Sequence, residues 1–442
     1  MAALAAPLAS LRARYGVGPL VVATAVPFLF LHRHYQPNVS VGSLDADLSD
    51  LAAAAVVLAA LPSVSGARDR LGAARGALLA WAALAALILV GTAWGAIHYP
   101  AYPGGTHLVT AAKWIEYMLL APAIVLIARR AEDLVPAVVV TVAWSCCATI
   151  VGLLQFLGAL GDLDNTPAGR RKESFLGYHD FAALSAAVLL VALLLLGRGP
   201  RNAAERRLAL VGGLSGGIGL ILGGAFDSLL GAILAAAALV LCLGLREPRR
   251  LASIVGILAV VTVGILLIRS SAIADGLKFL GVKQGSGGAA TNIQSYRQRA
   301  LLAYIGGRIF LDHPVLGAGW QGSSDEYAYE PYLADAHKHF TQPAAAFPSP
   351  AHPWGVQNAY VQSLADLGIL GLPAFLAALL LPAWLAFRRG IGDTRLLGVA
   401  LPLVALGVWN GYGLVAGIPL DALTWLAGGT AAASVAFAKA EA

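Results

Sequence analysis

Three stretches of this sequence gather residue types that could handle a phosphorylated substrate. "NTPAGRRKESFLGYHDF" carries Arg170, Arg171 and Lys172, and "SYRQRALLAYIGGRIFLDHP" carries Arg297, Arg299 and Arg308. A guanidinium donates paired hydrogen bonds to phosphate oxygens and keeps its charge where the dielectric is low. The third stretch, "HPWGVQNAYVQSLADLGILG", runs from His352 to Gly371. His352 supplies an imidazole able to take a proton near neutral pH, and Gln357 and Asn358 add neutral donors. A helix starting near Gln357 and running through Asp366 would turn its free backbone N–H groups toward the same spot, which favours an anion. Lys113 offers one more contact for a phosphate.

Each residue also has a plainer reading. Arg299 suits the solvated face of a helix, and Arg170 and Arg171 suit anionic lipid headgroups. His352 can pack on Trp354, Asn358 is well suited to cap a helix, and Lys113 lies one turn from Glu116 as an ion pair. His179 and Asp180 are adjacent and read as a pair. Cys146, Cys147 and Cys242 show neither metal nor disulfide spacing, and no His/Asp/Cys set suggests a bound metal. No metal or other cofactor is expected, and no nucleic-acid partner.

These residues sit at the ends of apolar runs. Of 442 residues, 58% are hydrophobic and 12% charged, and the mean hydropathy is +0.74. Such apolarity excludes an ordinary soluble globule, and the lack of alternating ~10-residue segments excludes a β-barrel. The expected class is an all-α integral membrane protein of about 12 spans. They fall at about 17–31, 48–64, 77–97, 111–128, 134–157, 180–196, 207–223, 228–245, 251–268, 368–387, 396–416 and 421–438. A large outer loop separates the ninth from the tenth. The chain thus divides into an N-terminal membrane bundle over 1–268, the loop over 269–356 and C-terminal membrane helices over 357–442. No small-residue cleavage site follows the first apolar stretch, so that helix is expected to be retained.

With the N-terminus in the cytoplasm, alternate short loops collect roughly 18 of the 30 Lys and Arg, as the positive-inside rule prefers. Both termini are then cytoplasmic. Two outer segments are basic against the rule: the one around Arg170, and the long loop with Lys278, Lys283, Arg297, Arg299, Arg308 and Lys338. An anionic ligand at the outer face accounts for them, although long translocated loops also tolerate charge. Within the long loop, Leu301, Leu302, Tyr304, Ile305 and Ile309 form an apolar stripe, read as an amphipathic helix lying on the membrane surface or over a cavity. Pro314 and "GAGWQGSS" end it, and the stretch "KHFTQPAAAFPSPAHPWG" is too proline-rich for a helix.

In the loop and the stretch that leaves it, the residues resemble bacterial O-antigen ligases and the related lipid-linked glycan polymerases. That family carries His-[Asn/Ser/Gln]-x9-Gly-x-x-[Gly/Thr/Tyr] at the end of a large periplasmic loop. Here Asn358 is followed by nine residues and then by Gly368, Ile369, Leu370 and Gly371. "RALLAYIGGRIFLDHPVLGAGW" is similar to the family's entry to that loop, with Arg299, Pro314, Gly317 and Gly319 in its positions. "RRKESFLGYHDFAALSA" is similar to its basic lead into a middle span. Two positions depart: Gln357 stands where the family has histidine, and "GAFDSLLG" lacks the family's Ser-Arg pair.

The resemblance implies a metal-independent glycosyltransferase of the GT-C class at the outer face of a bacterial plasma membrane. The donor would be a glycan on polyprenyl diphosphate, and a hydroxyl of a glycan or lipid acceptor would attack its anomeric carbon. Arg299, with Arg297, Arg170, Arg171 and Lys113, would hold the diphosphate; His352, Gln357 and Asn358 would serve the acceptor. The alternative is a transporter or flippase for a lipid-linked or small anionic substrate, a class for which about 12 spans is a common size.

Overall fold

The computed structural model describes residues 10–41, 44–270, 295–415 and 418–441. Hydrocarbon offers backbone groups no hydrogen-bond partners, so the apolar runs close their bonds internally as helices. Helices α1 (Val17–Leu29) and α2 (Leu48–Ala60) are joined through a hairpin of β1 (Asn38–Val41) and β2 (Leu44–Asp47). After the short α3 (Arg68–Ala73) come α4 (Arg75–His98), α5 (Gly104–Met118) with its continuation α6 (Leu120–Ile127), and α7 (Val135–Phe156). Then follow α8 (Tyr178–Arg198), α9 (Ala203–Gly223), α10 (Phe226–Leu243) and α11 (Pro248–Ile268). The long loop contributes α12 (Ser295–Asp312) and α13 (Glu326–His339). The chain ends with α14 (Ala359–Leu367), α15 (Gly371–Arg389), α16 (Gly392–Val408) and α17 (Ile418–Glu441).

The protein is a multi-pass, all-α membrane protein, with nine helical segments among the described residues long and apolar enough to cross a membrane. Three of the about 12 segments expected from hydropathy fall short of that. Helices α1 and α2 have 13 residues each and α16 has 17. At ~1.5 Å per residue, the shorter pair covers only about 20 Å of a ~30 Å hydrocarbon layer.

Helix α8 is the centre of the bundle and is buried along nearly its whole length. It meets α9 backbone to backbone, because α9 is glycine-rich on that side. A Cβ added at Gly216 would lie 2.6 Å from the Leu189 nitrogen, and one at Gly219 would lie 2.3 Å from Ser185 Oγ. Small residues permit this approach where lipid offers no hydrophobic drive for helix pairing. Helices from both ends of the chain share one core: α10 lies along α16, and α17 packs on α3, α6, α15 and α16.

The loop folds against the bundle. Leu301, Leu302, Ile305 and Ile309 of α12 are all buried. Leu301, Ile305 and Ile309 share a small core with Tyr329 and Tyr332 of α13, Phe347 and Ala365 of α14. The apolar stripe, expected to lie on the membrane surface or over a cavity, packs on α13 and α14. The glycine turn after α12 is fastened to α14: the Ala318 and Gly319 N–H groups donate to the Ala365 and Asp366 carbonyls at 2.8 and 3.0 Å. The Asp366 carboxylate takes the N–H groups of Gln321 and Ser323. Trp320, beyond that turn, is buried edge-on to Trp114 of the bundle. Gly368, at φ 69°, breaks α14 from α15, and a Cβ there would lie 2.2 Å from the Val315 carbonyl oxygen. Lys278 and Lys283 lie outside the described residues.

Candidate functional site

At the loop end of the bundle, side chains from six segments converge. Gly177, at φ 94°, turns the chain into α8 and puts His179 on its first turn. The two-residue link after α9, with Gly224 left-handed, starts α10 and puts Asp227 on its first turn. Arg299 comes from the first turns of α12, Gln357 from the segment before α14, Arg171 from the segment before α8, and Arg269 from just past α11.

His179 Nδ1 lies 2.9 Å from Asp227 Oδ2, and an Arg299 Nη lies 3.1 Å from His179 Nε2. Arginine can only donate, so Nε2 accepts; the imidazole is then neutral and its Nδ1–H donates to Asp227. Arg299 Nε also donates to Gln357 Oε1 at 3.4 Å. The other Asp227 oxygen accepts the Ser228 N–H. Tyr412 meets the His179 ring edge-on at 4.8 Å. Gly411 brings its backbone so close that a Cβ would lie 1.8 Å from Asp227 Oδ2.

Arg171 and Arg269 both pack beside Gly224. The Arg171 guanidinium lies over the Tyr178 ring at 4.0 Å, and that of Arg269 over Phe226 at 5.3 Å. Such cation–π contacts contribute about 0.5–2 kcal/mol but remove no charge. Burial, then the neighbouring Arg269, pushes the Arg171 guanidinium down to about 10. Burial, then Arg299, lowers Arg269. Among the described residues neither Arg171, Arg269 nor Arg299 forms an ion pair, and the buried Nε atoms of Arg171 and Arg269 donate no hydrogen bond. The nearby carboxylate, Asp227, is already taken by His179. Three mutually repelling cations thus crowd one mouth, and their chemistry is that of a seat for a multiply charged anion.

The other candidates lie as follows. Asn358 caps α14, its Oδ1 accepting the Val361 N–H, and its Nδ2 bonds Asn410. The Ala359 N–H donates to the Trp409 carbonyl, so two of the N–H groups at the start of this helix, expected to face an anion, already have protein partners. Asn358 thereby holds the chain that carries Gly411 and Tyr412. His352 is exposed, stacks on Trp354 and closes a turn with Ser349, contacts confined to its own loop. Arg297 is half-buried on α12 and Arg170 is exposed. Lys113 pairs with Asp50 at 2.9 Å and approaches Asp47, rather than Glu116. Lys172 is buried and pairs with Asp162 at 2.7 Å. Asp180 is buried, and His179 pairs with Asp227 instead. A cavity of about 950 Å³ opens elsewhere, among α1, α7, α8, α9, α16 and α17 toward the far end, and includes none of the three arginines.

Sequence reasoning did not find Arg269, Asp227, Gly411 or Tyr412. Polar residues at the ends of apolar runs, such as the aspartate of "GAFDSLLG", were the available signal. No family model matches the chain, and no curated protein matches it.

Proposed function

We propose that the protein transfers a glycan from a polyprenyl-diphosphate-linked donor to an acceptor hydroxyl at the outer face of a bacterial plasma membrane. The chain would cross the membrane about 12 times with both termini in the cytoplasm, so that α12 and α13 lie outside. One observation carries the reading: Arg171, Arg269 and Arg299 crowd together without an ion-pair partner among the described residues. A diphosphate supplies the missing negative charge. The acceptor oxygen forms a bond to the anomeric carbon, the bond from that carbon to the diphosphate oxygen breaks, and polyprenyl diphosphate departs with the electron pair. Guanidiniums gathered around the leaving oxygen in the donor complex stabilise charge as it develops, an effect usually worth several kcal/mol of barrier. Positive charge that a metal ion would bring is supplied here by arginine.

The test is transfer of a labelled lipid-linked glycan by the purified protein in lipid nanodiscs. Arg171→Ala and Arg299→Ala are expected to lose at least about a hundredfold in turnover. Arg299→Lys is expected to be impaired as well, since an ammonium cannot make the planar two-point contact. Full activity in both alanine variants would remove the arginines from the reaction. Passage of the labelled lipid across sealed vesicles without glycan transfer would favour a flippase instead.

A further inference from the structure

We propose that His179 is the general base of this transfer, oriented by Asp227 and masked by Arg299 until a diphosphate draws that arginine away. The proposal rests on the glycan-transfer reading and adds the group that takes the acceptor's proton. A general base must reach the acceptor and must have a free lone pair. Gln357, at the family's histidine position, has no basic atom, and His352 keeps its contacts within its own loop. His179 is the imidazole that lies among the arginines.

Its geometry has the parts of an activated base. Nδ1–H is fixed to a buried carboxylate at 2.9 Å, which sets the tautomer and stabilises the imidazolium that would form. Nε2 carries the lone pair and points at Arg299. About 17% of the His179 side chain stays exposed while Asp227 is almost closed off at 4%. The imidazole can therefore meet an acceptor, and the carboxylate stays behind it. The charged and titratable groups around His179 are Asp227 on α10, Arg299 on α12, Arg171 before α8 and Tyr412 before α17.

The mask is held weakly. Arg299 donates to two neutral acceptors, His179 Nε2 at 3.1 Å and Gln357 Oε1 at 3.4 Å, and among the described residues to no carboxylate. Bonds from a guanidinium to a phosphate are about twice as strong as those to neutral partners. Donor binding therefore pulls Arg299 onto the diphosphate and exposes Nε2. The acceptor hydroxyl then gives its proton to Nε2 as its oxygen bonds the anomeric carbon, and the electron pair of the broken bond leaves with the diphosphate. The imidazolium returns its proton to water or to the departing diphosphate. Without donor the base stays covered, which couples deprotonation to a filled donor site.

The experiment measures kcat and donor KM separately for wild type, His179→Gln, His179→Ala and Asp227→Asn. Removing the base is expected to lower kcat by roughly 10²–10⁴-fold with donor KM nearly unchanged. Added imidazole is expected to restore part of the rate in His179→Ala but not in Arg171→Ala. Asp227→Asn is expected to lower kcat without imidazole rescue. Wild-type transfer with full kcat in both His179 variants overturns the base and leaves the glycan-transfer reading standing. A loss in the His179 variants that raises donor KM and resists imidazole overturns it too, since that marks a structural role. A wild type that transfers no glycan from any polyprenyl-diphosphate donor overturns both.

Discussion

Two groups of buried or half-buried cations in this protein are built on opposite plans. Where Lys172, Lys113 and Arg198 leave water, each has a carboxylate: Asp162 at 2.7 Å, Asp50 at 2.9 Å, and Glu205 with Asp393 at 2.9 and 3.0 Å. Arg171, Arg269 and Arg299 have none at that distance among the described residues. Taking a charge out of water costs several kcal/mol unless a partner offsets it. The first group is therefore closed, and its ions hold segments of the fold together. The second is left open at a cost, and on the proposed reading a bound anion closes it. Basic character alone did not separate the two groups, since Lys172 and Arg171 are neighbours in sequence; the partner did.

The comparison can be broken first at Lys172. Lys172→Ala leaves Asp162 buried with a missing counter-charge and is expected to cost about 3–5 kcal/mol, read as a lowered melting temperature in detergent. A melting temperature equal to wild type would mean that the closed group holds nothing together.

The open group is tested with inorganic pyrophosphate. At a hundredfold excess over its Kd, a ligand specific for the folded state stabilises by about 2.7 kcal/mol. The wild-type melting temperature is expected to rise accordingly, and the rise to vanish in Arg171→Ala/Arg299→Ala. Lys113→Ala should keep it, because Lys113 belongs to the closed group. A rise of equal size in all three proteins would locate the anion elsewhere.

Smaller effects sharpen the boundary of the site. Asn358→Ala removes a helix cap and is expected to cost about 1 kcal/mol of stability, with a further loss of turnover through the Asn410 link. His352→Ala changes an exposed side chain and is expected to stay within about 0.5 kcal/mol of wild type, with turnover near normal. A hundredfold fall in turnover would move the acceptor's base from α8 to the loop.

How much of this was legible in the sequence follows the range of each interaction. Apolar runs map onto helices within one segment, so the bundle and the break at Gly368 could be read directly. The start of α14 at Asn358 was readable for the same reason, because a cap acts over three residues. Helix α13 was not foreseen; the proline-rich stretch after it and Pro331 within it obscured its period. Without α13, the stripe of α12 had no named partner beyond a membrane surface or a cavity. The site itself joins residues 48 and 120 positions apart, His179 to Asp227 and His179 to Arg299. No local pattern encodes such a meeting. Residue type brought Arg171 and Arg299 forward as candidates, whereas Gly411 is intelligible only beside the carboxylate it makes room for.

Gly411 also bears on how the protein is made. Asp227 is seated by backbone that follows it by more than 180 positions, and the core under α12 closes only on Ala365. During synthesis, then, α8 and α10 enter the membrane carrying His179 and Asp227 long before the chain that packs around them exists. A nascent protein still lacking α14 and the link from α16 to α17 has its arginines but neither Gln357 nor Gly411. The cluster around Asp227 and Arg299 is completed only once Gln357 and Gly411 are in place, so an unfinished chain carries an unfinished cluster.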